Sequence, residues 1–301
     1  MISGALKNKR AFAALFLLAL FLFCAIFACT AEGGGEMAGM AADPTPEPPT
    51  PQPILVSLGD PVPADTAVPA PTLPPTPTPE PTPTPVPTLD PNGKYIALTF
   101  DDGPNGKAGY TKDLLAVLRK YEVKVTFFVV GYKLETERNM EALREAAADG
   151  HEIGNHTYDH ANLSKYSDEG IRKQMARTND AIEKIIGYRP TLFRPPYGES
   201  NQTVRAFAKS NGMAVIMWDL STHDWYHEDA GKTFAAVKKD AHPGSIILMH
   251  DSVKSSAEAV EKIIQWLHGE GYTIITVGEL LRLRHGEIKP GTQYRHGVPA
   301  G

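Results

Sequence analysis

The chain has 301 residues, 42% of them hydrophobic and 22% charged, with a formal net charge of −5 at pH 7. That balance argues against a nucleic-acid binder, which carries a basic excess, and the length suits one large domain or two small ones. The average conceals two regions: 19 of the 26 prolines lie between Pro44 and Pro91, and the acidic excess also lies before residue 92, leaving residues 92–301 formally neutral with 27 basic and 27 acidic residues.

In chain order, Lys7, Lys9 and Arg10 precede an uncharged apolar run from Ala11 to Ala28. Its length is close to that of a membrane-spanning helix, and the basic flank predicts a cytoplasmic N-terminus with the remainder exported. Both cysteines, Cys24 and Cys29, belong to this leader, so the exported part has neither disulfide nor thiolate chemistry. Ile26-Phe27-Ala28-Cys29 resembles a bacterial lipoprotein cleavage box, with Cys29 as the lipidated first residue. An uncleaved helical anchor and an ordinary signal peptide are the other readings of residues 1–29. Residues 30–91 read as a disordered linker, because Pro-Thr alternation such as Pro74-Pro75-Thr76-Pro77-Thr78-Pro79 cannot bury a core. Its densest part would extend on the order of 60 Å at ~3.1 Å per residue. A spacer beyond a membrane anchor suits work in a cell wall.

The domain is expected over 92–285. Tyr95 to Phe100 reads as a buried strand, Tyr110 to Tyr121 as a helix, and Val123 to Val130 as a second strand. A helix from Arg138 to Asp149 precedes a short strand at Glu152-Ile153, and a longer helix runs from Ser167 to Ile186. Strands near Thr191–Phe193, Ala214–Trp218, Ser245–Met249 and Tyr272–Val277 follow. Helices at Thr203–Ser210, Lys232–Asp240 and Ser256–His268 separate them, with a last helix near Gly278–Leu283. Seven strands alternating with helices make parallel β/α units. They fit an open doubly wound sheet or a small barrel, and no glycine-rich phosphate loop favours the open sheet. Residues 286–301 read as a polar tail. Met213, Met217 and Met249 read as core.

Polar clusters stand where the strands end, the place where β/α folds put chemistry. The first strand runs into Asp101-Asp102-Gly103-Pro104. The third runs into His156 and His160, spaced so that one turn of helix would put both on one face. Two neutral imidazoles and a carboxylate suit a divalent metal. The fourth ends in Arg194-Pro195-Pro196-Tyr197-Gly198, where the prolines stiffen the loop and the Tyr197 N–H could meet a developing oxyanion. The fifth leads to Trp218 and on to Asp224-Trp225. The sixth ends in Leu248-Met249-His250-Asp251, with His250 placed as a general acid or base.

Thr99–Pro104, His156–His160, Arg194–Gly198, Asp224-Trp225 and Leu248–His250 together resemble, in order, the five motifs of the NodB-type polysaccharide deacetylases, carbohydrate esterase family four. The resemblance spans about residues 94–285, and it departs at Ser221, where many members carry Asp. It implies a distorted (β/α)₇ barrel. It also implies one divalent metal on Asp102, His156 and His160, Zn²⁺ in the first place, with Co²⁺ and Ni²⁺ also suited. Asp101 is then the general base, held by Arg194, and the Tyr197 N–H faces the oxyanion. His250 is the acid, oriented by Asp224, while Tyr197, Trp225 and Leu248 contact the substrate.

The family acts on acetylated polysaccharides. Export and a wall-length spacer point to N-acetylglucosamine of peptidoglycan. Muramic acid of peptidoglycan, chitin oligomers, poly-N-acetylglucosamine and O-acetyl xylan are the alternatives. A non-catalytic wall-binding module is the alternative of another class, disfavoured because every motif position is filled.

Overall fold

A computed structural model describes residues 89–297 apart from 91, 107 and 108. The expected signal or anchor with Cys29, nearly all of the expected linker and the last residues of the chain lie outside the described residues. Among the described residues no helix is long and apolar enough to cross a membrane.

Among the described residues nine parallel strands form the scaffold: β1 (Tyr95–Gly103), β2 (Thr126–Val129), β3 (Glu152–Asn155), β4 (Leu192–Phe193), β5 (Ala214–Ile216), β6 (Leu220–Ser221), β7 (Ile246–His250), β8 (Thr273–Ile274) and β9 (Gln293–Tyr294). Among the described residues the α-helices are α1 (Tyr110–Lys120), α2 (Glu137–Ala148), α3 (Asp168–Ile186), α4 (Gln202–Ser210), α5 (Asp224–His227), α6 (Ala230–Asp240), α7 (Lys254–Gly269) and α8 (Val277–His285). Their ends follow local chemistry. Ser167 caps α3 by accepting from the Gly170 N–H, and Gly187, at φ 84°, closes it in the left-handed region that glycine adopts without strain. Thr276 and Glu279 cap α8 reciprocally.

The strands run in the order β6-β7-β1-β2-β3-β4-β5-β9, with β8 on the first residues of β1. The sheet curls into a half-barrel, and no pairing joins β6 to β9 among the described residues. The α/β fold with a curled parallel sheet agrees in outline with the distorted (β/α)₇ barrel implied by the resemblance; among the described residues it has nine strands rather than seven. The two edge strands have only two residues each, too few to carry a ladder across the gap. The stretch expected as a tail contributes β9. Val215 donates to Thr292 O and Met217 to Tyr294 O, and the Tyr294 side chain is buried in the core.

β1 sits at the centre, and its two-residue period sorts its side chains. Ile96, Leu98 and Phe100 pack outward with Leu114, Leu118, Val260 and Ile264 of α1 and α7. Each fully buried side chain of this kind contributes about 1.5–3 kcal/mol. Tyr95 and Ala97 face the interior with Phe128, Ile216 and Ile246. Thr99 and Asp101 continue that inner row toward the C-terminal end of the strand. The interior is therefore apolar at one end and polar at the other. Met213, Met217 and Met249 are buried, as expected of core residues.

Candidate active site

The C-terminal ends of β1, β3, β4 and β7 converge. Asp101 and His250 are partners in register across β1 and β7, and Asn155 pairs with Phe193 across β3 and β4. Asp102 is the residue at which β1 breaks its ladder with β2. It adopts φ 71°, and both its carboxylate and that of Asp101 face His156 Nε2, where a regular strand would send adjacent side chains to opposite faces. A non-glycine residue held in this region is strained, and such strain gathers at functional sites.

Asp102 Oδ1 lies 3.5 Å from His156 Nε2 and 3.2 Å from His160 Nε2. The ligand atoms of the three residues all lie within 4.8 Å of one another. Asp102 Oδ1 is buried and has no well-formed hydrogen bond. An anionic oxygen in that state, faced by two imidazole nitrogens, fits a divalent cation. Burial raises the Asp102 pKa, but the imidazoles of His156 and His160 outweigh it and hold the carboxyl well below the usual range. His156 Nδ1 stands 2.7 Å from the Arg194 carbonyl, which fixes the proton there and leaves Nε2 as the free donor atom. His160 Nδ1 stands 3.2 Å from the Tyr197 hydroxyl. These two imidazoles do not share a helical turn, contrary to the expectation from their spacing. They flank an irregular loop in which Thr157 (φ 66°) and His160 (φ 59°) are both left-handed.

Asp101 is buried beside this cluster. Arg194 Nη1 donates to Asp101 Oδ1 at 2.7 Å and to Thr99 Oγ1 at 2.7 Å. Arg194 Nε and Nη2 donate to the carbonyls of Ile216 and Met217. The guanidinium also lies over the Phe128 ring, 4.1 Å from its centroid. Burial pulls the Arg194 pKa down and the Asp101 charge opposes it. An ion pair this enclosed is tolerable because nearly all its donors are satisfied. The second carboxylate oxygen of Asp101 stands 3.7 Å from His156 Nε2.

His250 Nδ1 lies 2.9 Å from Asp224 Oδ1, and the His250 backbone N–H donates to Asp224 Oδ2. Ser256 Oγ also donates to Oδ2. Burial lowers the imidazole pKa, yet the Asp224 carboxylate more than compensates and raises it to about 9. His250 is therefore a cation at neutral pH. Leu248 is buried in β7, whereas Trp225 is exposed on α5. Tyr197 is exposed as well, in a turn after the two prolines with its backbone at φ 60°.

Three supporting residues escape sequence reasoning. Thr99 donates to Ile247 O while accepting from Arg194. Ser256 holds Asp224. Asn155 Oδ1 accepts from the Thr157 N–H while its Nδ2 donates to Met175 O and Asn179 Oδ1, which pins the start of the histidine loop. Only their position beside expected site residues hints at these roles. A cleft of about 490 Å³ lies at the other end of the strands, lined by Thr191, Ala214 and Arg282, and carries no such cluster.

A family model described as polysaccharide deacetylase matches residues 88–216. The chain is 42% identical over 192 residues to the peptidoglycan-N-acetylmuramic acid deacetylase PdaC of Bacillus subtilis, a match covering 64% of this chain and 40% of that protein. It therefore spans about two fifths of the length of that relative. It is 37% identical over 199 residues to a peptidoglycan-N-acetylglucosamine deacetylase of Bacillus cereus, covering 64% of this chain and 91% of that protein. Among solved structures, a family 4 acetyl xylan esterase from Clostridium thermocellum, in complex with a cobalt ion, superposes with a TM-score of 0.63. Its identity is 35%, over 69% of this chain and all of that one.

Proposed function

This chain belongs to the polysaccharide deacetylase family, and we propose that it removes N-acetyl groups from peptidoglycan, with N-acetylglucosamine as the sugar acted on. The observation that carries the reading is the presence of two differently partnered groups beside one cluster: the Arg194-paired carboxylate of Asp101 and the Asp224-paired imidazole of His250. Amide hydrolysis needs a base for the water and an acid for the amine.

Asp102, His156 and His160 would hold a divalent metal, Zn²⁺ being the first candidate and Co²⁺ or Ni²⁺ suited to the same donors. When bound, it supplies Lewis acidity toward the amide carbonyl and the water. Asp101 takes one proton from the attacking water as the oxygen bonds to the carbonyl carbon. Arg194 Nη1 holds Asp101 aimed through its 2.7 Å contact. The Tyr197 N–H, on its rigid turn, faces the oxygen that gains charge. His250 gives its proton to the nitrogen as the C–N bond breaks, so acetate and the sugar amine leave. Asp224 fixes the ring that performs this transfer. Leu248 and Trp225 flank the acetyl methyl.

The name of the relative PdaC favours muramic acid as a second reading of the sugar. Acetate release from purified peptidoglycan, followed by identification of the sugar that gained an amine, separates the two. Release only from a chitin oligomer or acetylated xylan would keep the chemistry and reject peptidoglycan. The exported location rests on the basic-then-apolar leader. Tethering through Cys29 or an uncleaved helix belongs to this proposal and is checked by membrane fractionation of wild type against Cys29→Ala.

A further inference from the structure

Asp251 carries a buried carboxyl to which the reaction as described gives no role. It follows His250 at the end of β7 and is 1% exposed. We propose that it is a positioning residue, whose carboxyl braces the turn that aims Asp102 at the metal. The inference rests on the reading of Asp102, His156 and His160 as a metal site.

The turn leaves strand geometry at Asp102 and is held from several sides. Each of its three carbonyls has a donor. The Asp251 N–H donates to that of Asp101 at 3.3 Å and the Val130 N–H to that of Gly103 at 3.0 Å. Lys133 Nζ donates to that of Asp102. The Asp251 carboxyl adds a different restraint. It lies against Gly103 so closely that a Cβ there would fall 2.0 Å from Asp251 Oδ2. The residue after Asp102 therefore has to be glycine, and the carboxyl occupies the space its side chain would take. Oδ2 also accepts from the Thr111 hydroxyl at 2.7 Å, and that hydroxyl accepts from the Asn105 N–H at 2.7 Å. One carboxyl thus fixes the chain at Gly103 and at Asn105, on the way from Asp102 to α1.

Fold stability alone does not account for a carboxyl at this place. Its Oδ1 is buried with no hydrogen-bond partner, and a buried polar atom left unpaired is costly. An apolar side chain of the same shape would avoid that cost, but it would release Thr111 and with it Asn105. Asp102 has the most to gain from a fixed turn. A non-glycine residue at φ 71° keeps that conformation only where its surroundings over-determine it. Its Oδ1 stands 3.5 and 3.2 Å from the two imidazole Nε2 atoms, and a site whose supporting groups leave it about 1 Å too loose loses its function.

The test measures Zn²⁺ affinity of the full-length chain by competition with a chelating dye, then turnover on peptidoglycan at saturating metal. Asp251→Ala should weaken metal binding about 10–100-fold, the range for groups that orient metal ligands, and lower kcat with KM unchanged. Asp251→Asn keeps the shape and can accept from Thr111 through its amide oxygen, so it should stay close to wild type in both. A merely structural role would show in denaturant unfolding and leave the affinity for metal alone. Should Asp251→Ala fail to fold, Thr111→Val against Thr111→Ser carries the test: the first should weaken metal binding and the second restore it. Wild-type affinity in Asp251→Ala or in Thr111→Val would overturn the brace, and so would a loss in Asp251→Asn equal to that in Asp251→Ala. If wild type bound metal and released no acetate from any polymer, while Asp251→Ala bound metal more weakly, the deacetylase reading would fall and the brace would stand. A wild-type chain that bound no metal would overturn the metal site and the brace with it.

Discussion

The two ends of β3 carry a histidine each, and they differ instructively. His151, before the strand, is buried against the Phe127 ring and accepts from the Val125 N–H. Burial lowers its pKa to about 4. His156, after the strand, is just as buried, but its Nδ1 faces the Arg194 carbonyl and its Nε2 faces the two carboxylates of Asp101 and Asp102. Glu152 repeats the lesson near His151. Its buried carboxylate, raised in pKa by burial, is engaged by Thr126 and the Gly278 N–H at the start of α8. Burial and a shifted pKa occur at both ends of the sheet. Convergence of several donor atoms on one point occurs at the C-terminal end.

If convergence is what matters, substitutions at the two ends should separate cleanly. The largest effect is expected from Asp101→Asn or His250→Ala. Each should lower kcat by about 10²–10⁴-fold, while elemental analysis still finds near one metal per chain. Normal turnover in either would refute the assigned roles. At the other end, Glu152→Gln should leave kcat and metal content intact while lowering stability by about 1–3 kcal/mol in denaturant unfolding, through mispaired donors. A large loss of kcat there would blur the contrast.

Arg194→Met belongs to both categories. It strands the Asp101 charge, so unfolding should show a loss of about 3–5 kcal/mol together with a fall in kcat. Tyr197→Phe removes the hydroxyl beside His160 Nδ1. Outer partners of metal-ligating histidines typically contribute about 10–100-fold in metal affinity or activity, and this one, exposed and 3.2 Å away, should fall at the low end in a competition titration with a chelating dye.

The pH dependences should also diverge. The His250 pKa is raised from 6.5 to about 9. Its proton is needed by the amine, so kcat should fall as pH rises through about 9. The stability it contributes is complete below about 6.5 and lost over the same rise. Asp224→Asn should move the alkaline fall to lower pH. His151 has the opposite sign: its neutral form is favoured, so its contribution is present above about 6.5 and lost as pH falls toward 4. His151→Leu should flatten that acid loss without moving the kcat profile.

Much of this contrast is legible in the sequence, because strands buried on both faces read as continuous apolar runs and the polar clusters follow them. What is not legible depends on partners far along the chain. Leu220–Ser221 and Gln293–Tyr294 are strands only through their pairing with β7 and β5. Two residues have no period to detect. Failure of the sheet to close is likewise a property of two distant edges. The spacing of His156 and His160 suggested a helix, but the left-handed residues that bring their rings to a centroid separation of 5.1 Å are not glycines and leave no mark in the sequence. Ser256, Thr99 and Asn155 are common polar residues that acquire roles only from Asp224, Arg194 and the Thr157 N–H.

The most direct measurement is acetate release by the full-length chain from purified peptidoglycan, with added Zn²⁺ and with a chelator. The account predicts release that the chelator abolishes and the metal restores, accompanied by a new amine on the glycan. Release that persists without metal, or none from any acetylated polymer with metal bound, would contradict it.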